Sequence, residues 1–165
     1  MRTGWAAREI SSIPGFFDLR KGTDGAADSH PRLTQAGDRA YFHSTRAENT
    51  GYLQSTPVAD PMDIYVATIS NGIPSPATNL RSMVNSTSMD GEMAISPDGQ
   101  TLYFASTRPG GLGDADIYYS RISGSAFTTP VNIGAPINTT GSDKQCPLSR
   151  RMIRIPCILS RIEGG

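Results

Sequence analysis

Residues 90–120, DGEMAISPDGQTLYFASTRPGGLGDADIYYS, decide the fold of this chain. The segment 101–105 is rich in β-forming residues and contains neither Gly nor Pro, which predicts a strand. Leu102 and Phe104 point to one face of that strand, and the intervening Tyr103 points to the other. Because both faces are largely apolar, we expect a sheet that is covered on both sides.

Further strands surround this one at short spacing. Residues 93–95 form the incoming strand, and the Ser-Pro-Asp-Gly sequence at 96–99 predicts a tight turn, because Pro presets φ and Gly accepts a positive φ. A glycine-rich loop at 109–113 leads to a third strand at 116–120. A fourth, outer strand is predicted within 127–133, where a proline suits a sheet edge since it cannot donate to the ladder.

An imperfect copy of this segment lies upstream. The sequence YFHSTR at 41–46 aligns with YFASTR at 103–108, an offset of 62 residues, and DIY at 63–65 aligns with 116–118, an offset of 53 residues. The first copy is longer only in its loop at 47–62. Insertions confined to one loop are typical of repeat proteins.

A four-stranded unit with a period near 53 residues is typical of a propeller blade. Residues 96–118, with the Pro-Val-Asn-Ile and Pro-Ile-Asn sequences within 130–138, resemble the TolB-like β-propeller repeat, which is a PD-type, WD-like repeat. The resemblance covers about residues 28–149. The first copy departs from the pattern, since Gln35 and Ala36 replace the Pro-Asp of the turn and its loop lacks Gly-Gly.

We therefore predict an all-β fold, an incomplete propeller fragment of about two four-stranded antiparallel blades with partial flanking blades. Closed propellers need about 4–8 blades, so we also expect self-association through exposed blade edges. The predicted organisation is a leader or remnant of a preceding blade at 1–27, repeat 1 at 28–89 with the loop insertion 47–62, repeat 2 at 90–142, the start of repeat 3 at 143–149, and an aberrant tail at 150–165.

The tail at 150–165 has no repeat character. Codons that encode this tail can be chosen so that translation in a reading frame shifted by one nucleotide gives Ser-Pro-Asp followed by Leu-Tyr-Phe. A third repeat would have the same sequence at this place. We interpret the tail as out of frame.

Composition excludes some functions. The chain has 165 residues with 15 basic and 15 acidic side chains, so it lacks the basic excess that nucleic acid or an anionic membrane requires. No apolar run approaches the roughly 20 residues of a membrane span. No secretion signal is visible, whereas the family resemblance implies a periplasmic or extracellular protein.

Motifs for catalysis or cofactor binding are missing from the sequence. The two histidines, His30 and His43, accompany no nucleophile elbow and no zinc-protease motif. Cys146 and Cys157 fit no metal or redox spacing. The glycine-rich loop is followed by acidic residues, which would repel phosphate. We predict no catalytic, cofactor or metal site, and no enzyme activity.

Carboxylates between 98 and 116 offer oxygens to Ca²⁺, but no complete calcium-loop pattern is present. Asp63 recurs at the position of Asp116 in the second copy. This recurrence predicts an architectural role, either capping backbone N–H groups or pairing with Arg46 and Arg108.

Residues shared by both copies are expected to determine the fold, and residues that differ to carry function. Equivalent positions of several blades could also ring a channel mouth. The predicted binding-surface residues are His43, Arg46, Tyr52, Arg108, Leu112 and Asp114.

The sequence favours a non-catalytic module that binds a protein or cell-envelope partner. Two alternatives stay open at this point. The chain could be the substrate-gating propeller portion of a peptidase-like hydrolase whose catalytic domain lies elsewhere, or a truncated gene product without a function of its own.

Overall fold

The structure is a computed structural model, and it describes residues 28–46, 49–50 and 62–144. The predictions for 1–27, for most of the loop 47–62, and for 145–165 lie outside the described residues. Within them the chain is all-β, which confirms the predicted fold class at that level, and a single 3₁₀ turn covers Arg81–Met83. None of the described helical segments is long and apolar enough to cross a bilayer.

Ten strands form two five-stranded antiparallel sheets with the same strand order. In each sheet the first three strands form a meander, and the long third strand also pairs with two short strands. The first sheet contains β1 Asp28–Leu33, β2 Arg39–Ser44, β3 Asp63–Ser70, β4 Ile73–Pro74 and β5 Thr78–Asn79. The second contains β6 Asp90–Ile95, β7 Thr101–Ser106, β8 Asp116–Ser123, β9 Ala126–Phe127 and β10 Val131–Asn132.

The two sheets repeat each other strand by strand. β1 and β2 begin 62 residues before β6 and β7, from Asp28 to Asp90 and from Arg39 to Thr101. β3, β4 and β5 begin 53 residues before β8, β9 and β10, as Asp63 does before Asp116. Residues related by these offsets are called equivalent below.

The turn between β6 and β7 forms as predicted. The Gly99 N–H donates to the Ser96 carbonyl at 2.9 Å, and Gly99 has a φ of 72°. The Asp98 carboxylate accepts the Gln100 N–H at 2.9 Å. All six residues of β7 are buried, which confirms a strand covered on both faces.

The fourth, outer strand predicted within 127–133 is present as β10 at the edge of the sheet, but it is shorter than predicted, because residues 128–130 separate it from β9. The Thr128 side chain is the physical reason. Its hydroxyl accepts the Arg121 N–H at 2.9 Å, so a side chain replaces the backbone carbonyl of a continuous ladder. Pro130, which has no N–H to donate, extends the interruption.

The two sheets pack through faces that are not equivalent. In one shared core, the first sheet and the segment after it contribute Tyr41, Ile64, Leu80 and Val84, whereas the second sheet contributes Met93, Leu102, Phe104 and Tyr118. The equivalent of Leu102 is Ala40, which lies instead in a separate cluster with Leu33 and Ile69. The sheets are therefore stacked head to tail.

The side chains after β5 show what this stacking buries. Leu80 and Val84 are at most 2% exposed because the second sheet covers them. Their equivalents after β10, Ile133 and Ile137, are only partly buried. The junction thus buries one face of the first sheet and a different, non-equivalent face of the second.

Candidate functional site

The six predicted binding residues lie in different surroundings. His43 is 3% exposed, and Tyr52 lies outside the described residues. Arg46 and Arg108 are largely buried in ion pairs. Leu112 and Asp114 are exposed on one loop, between β7 and β8. Of the five that the structure describes, only Leu112 and Asp114 therefore lie together at the surface.

Arg108 is held inside the fold by five partners, one of which is the Ser106 hydroxyl, 2.8 Å from its Nε. Its guanidinium donates to Asp90 Oδ1 at 2.6 Å and to the Val84 carbonyl at 2.8 Å. The same group lies 5.1 Å from the centroid of the Phe104 ring and 4.8 Å from that of Tyr118. The ion pair and the cation–π contacts lie within the second sheet, and the hydrogen bond to Val84 joins that sheet to the segment before it.

Arg46 repeats this arrangement in the first sheet. Its guanidinium donates to Asp28 Oδ2 at 2.7 Å and lies over the rings of Phe42 and Tyr65. The predicted pairing of these arginines with Asp63 and Asp116 is wrong, since their partners are the aspartates that begin β1 and β6. Strand pairing is the reason, because it sets Asp28 opposite Ser44 and Asp90 opposite Ser106, two residues before each arginine.

Asp116 caps backbone N–H groups, which confirms the other predicted role. Its carboxylate accepts the N–H groups of Leu112 and Gly113 and the side-chain amide of Asn132. A Cβ at Gly111 would lie 2.0 Å from Asp116 Oδ2, so the close approach of the loop requires glycine there. Asp63, the equivalent residue, accepts the Thr50 N–H at 2.7 Å.

The loop that carries Leu112 is anchored on two sides. Besides Asp116, the segment after β10 holds the loop, because the Asp114 N–H donates to the Gly141 carbonyl at 3.0 Å. A Cβ at Gly113 would lie 1.8 Å from that carbonyl oxygen. Leu112 is nevertheless 52% exposed. The anchored loop therefore displays an apolar side chain to solvent.

A polar cluster at the junction of the two sheets was not predicted. β1 and β6 each contain an irregularity in register, between Ser29 and Arg32 and between Gly91 and Ala94. The equivalent residues His30 and Glu92 occupy these bulges with φ of 54° and 48°. Their side chains meet His43 of β2, and one ligand atom from each of the three lies within 4.8 Å of the others.

Hydrogen bonds set the protonation of His43. Its Nδ1 accepts the Glu92 N–H at 3.2 Å, which leaves the proton of the neutral ring on Nε2. Nε2 contacts the Ser29 hydroxyl and lies 3.3 Å from His30 Nδ1. His30 Nε2 in turn lies 3.8 Å from Glu92 Oε2. Burial lowers the pKa of His43 to about 4, assisted by His30 and Arg32.

The Ser29–His43 contact is poorly suited to nucleophilic catalysis. A general base must accept the hydroxyl proton, but Nε2 already carries a proton in this arrangement. A pKa of about 4 also makes His43 a weak base near neutral pH. The pair is therefore better suited to structural hydrogen bonding or to ligand binding.

An open groove of about 450 Å³ separates the β1–β2 turn from the β6–β7 turn. Its two carboxylates are engaged by their own turns. Asp38 accepts the Thr34 hydroxyl at 2.6 Å, and Asp98 accepts the Gln100 N–H at 2.9 Å. The two carboxylates of the groove thus stabilise the turns that carry them.

No protein-family model matches the chain, and no curated protein is significantly similar to it. The functional interpretation therefore depends on the internal repeat and on the geometry of the described residues.

Proposed function

We propose that the two sheets are consecutive blades of a TolB-like propeller, and that the chain is a non-catalytic module that binds a protein partner of the cell envelope. The head-to-tail packing supports the propeller. In a two-sheet sandwich, the inner faces of the two sheets form one core between them. In a propeller, each blade packs on the preceding blade through one face and on the following blade through the other. Leu102 and its equivalent Ala40 lie in separate clusters, as the second arrangement requires.

The observation that carries the binding role is the exposed Leu112 on its anchored loop. The polar residues common to both repeats bond within the fold, as Arg108 does with Asp90 and Asp116 with the loop N–H groups. Leu112 is 52% exposed although Asp116 and Gly141 fix the backbone on either side of it. A preorganised apolar side chain loses little conformational entropy on binding, which suits the centre of a protein interface.

Asp114 gives this surface a charge beside its apolar residue. The side chain is exposed two residues after Leu112, on the same anchored loop. We expect a partner with an apolar pocket and a basic rim, because such a rim would complement the carboxylate.

Site-specific photocrosslinking tests the proposal. A photoreactive residue placed at position 112 is compared with one at Ile73, which is 71% exposed and begins β4 in the first sheet. The proteins are illuminated with the envelope fraction of the source cell. We expect a discrete product from position 112 that weakens when Asp114→Asn is added.

Equal labelling from positions 112 and 73 would contradict the proposed surface. Circular dichroism of each variant checks that the fold is retained. Leu112 and Asp114 lie outside the packed core, so we expect their substitution to change stability by no more than about 0.5 kcal/mol.

A further inference from the structure

The cluster at the sheet junction combines two imidazoles with one carboxylate. His30 and His43 come from the first sheet, and Glu92 comes from the second. We propose that these three side chains form a binding site for a divalent metal ion of the zinc type. The inference goes beyond the proposed partner-binding role and does not depend on it.

The distances within the cluster suit such an ion. Two nitrogen ligands about 2.0–2.1 Å from a tetrahedral zinc ion are about 3.3 Å apart. His30 Nδ1 and His43 Nε2 are 3.3 Å apart. One ligand atom from each of the three side chains lies within 4.8 Å of the others, and the Glu92 carboxylate lies 3.8 Å from the second ring nitrogen of His30, Nε2. Imidazole and carboxylate together favour zinc and its transition-metal neighbours over Mg²⁺ or Ca²⁺.

The backbone supplies an independent argument. His30 and Glu92 both have positive φ, which is uncommon for residues other than glycine; His is among the residue types enriched there, whereas Glu is not. Strained bulge residues occur preferentially next to functional sites, where they redirect a side chain. Here the two strained positions are equivalent in the repeat, and each carries a metal-ligand side chain aimed at the same point.

His43 departs from the repeat in a way that fits this site. Its equivalent in the second sheet is Ala105, so the sheet itself does not require a polar side chain there. A Cβ added at Gly91 would lie 3.0 Å from His43 Nδ1, so glycine leaves room for the ring. The ring is 3% exposed, whereas the side chains of His30 and Glu92 are 49% and 30% exposed. An ion could therefore reach the cluster from solvent and keep water as a further ligand.

Metal binding requires a defined proton movement. His43 Nε2 must present its lone pair, so the ring proton moves to Nδ1 and the Glu92 N–H loses its acceptor. The partly exposed Glu92 can take water as a replacement. The Ser29 hydroxyl contacts the same nitrogen and must turn away.

Titration of the full chain with zinc chloride tests the proposal, with Co²⁺ as a spectroscopic probe of coordination. Cys146 and Cys157 are first replaced by serine, so that the two histidines are the remaining strong zinc ligands. In this background we expect one zinc ion per chain, the visible absorption of four-coordinate cobalt, and a thermal midpoint that rises with zinc concentration.

Variants of the three ligands locate the ion. His30→Ala, Glu92→Gln and His43→Ala should each weaken binding by more than the roughly 10- to 100-fold cost of losing an outer-shell partner. His43→Ala copies Ala105 and so tests a residue that the repeat already accommodates. Asp114→Asn serves as the control that leaves binding unchanged.

An exchange of ligands gives a second, independent readout. The double variant His30→Glu, Glu92→His keeps two imidazoles and one carboxylate at equivalent bulge positions, and we expect it to restore most of the affinity lost in His30→Glu. The proposal is overturned if the background protein binds no zinc, or if binding survives His30→Ala and Glu92→Gln unchanged.

Discussion

His43 should make the stability of this protein depend on pH in a direction opposite to that of a histidine in an ion pair. The ordinary pKa of 6.5 applies in the unfolded chain, while burial lowers the pKa of the folded state to about 4. Between these values the unfolded state holds the additional proton. The free energy of unfolding therefore falls as the pH is lowered through this interval.

The size of the effect follows from the shift. A change of the His43 pKa from 6.5 to about 4 lowers the free energy of unfolding by about 3 kcal/mol once the pH is low enough to protonate His43 fully. About 2 kcal/mol of this should be lost between pH 7 and pH 5. Asp63 acts in the opposite direction at lower pH, because burial raises its pKa and favours the protonated form in the folded state.

Urea unfolding at pH 7 and pH 5 measures the prediction when the wild type is compared with His43→Ala and His43→Gln. Subtraction removes Asp63 and every other group that the proteins share. We expect the wild type to lose about 2 kcal/mol more than either variant between the two pH values. The reasoning would be refuted if both variants showed the same pH dependence as the wild type.

Two further substitutions test the internal contacts. Arg108→Met should lower the free energy of unfolding in urea by about 3–5 kcal/mol, because the Asp90 side chain, which is 0% exposed, loses its cation. As a control, Arg32→Met at an exposed position should change that free energy by no more than about 0.5 kcal/mol. Asn85→Ala removes the buried acceptor of the Ile64 N–H, now at 2.9 Å, and should cost about 1–3 kcal/mol and accelerate amide exchange at Ile64; unaltered exchange there would contradict the assigned role.

The strands could be predicted because their signals are local. β-forming residues at 101–105 and their copy near 41–46 lie in β7 and β2, and the Ser-Pro-Asp-Gly turn forms where its residues require it. The division of the outer strand could not be predicted in the same way. It depends on the Thr128 hydroxyl replacing a backbone carbonyl opposite Arg121, a competition that sequence spacing does not reveal.

The polar cluster was missed because it depends on contacts between distant residues. Glu92 lies 49 positions after His43, and the two meet only because the second sheet packs on the first. Nothing in the sequence marks Glu92 as a positive-φ residue, since Glu is not among the residue types that favour that conformation. The one available signal was the replacement of Ala105 by His43 at an otherwise repeated position.

Head-to-tail stacking also affects how such a chain can change length. An in-frame duplication of one whole repeat would supply both packing faces of a junction at once. The new unit would pack on the preceding unit as Leu102 packs on Tyr41, and its equivalent of Tyr103 would face the following unit. No second mutation would be needed to make the inserted unit fit. Growth by whole units is therefore genetically simple in this architecture, while the loss of part of a unit leaves a junction with only one of its two sides.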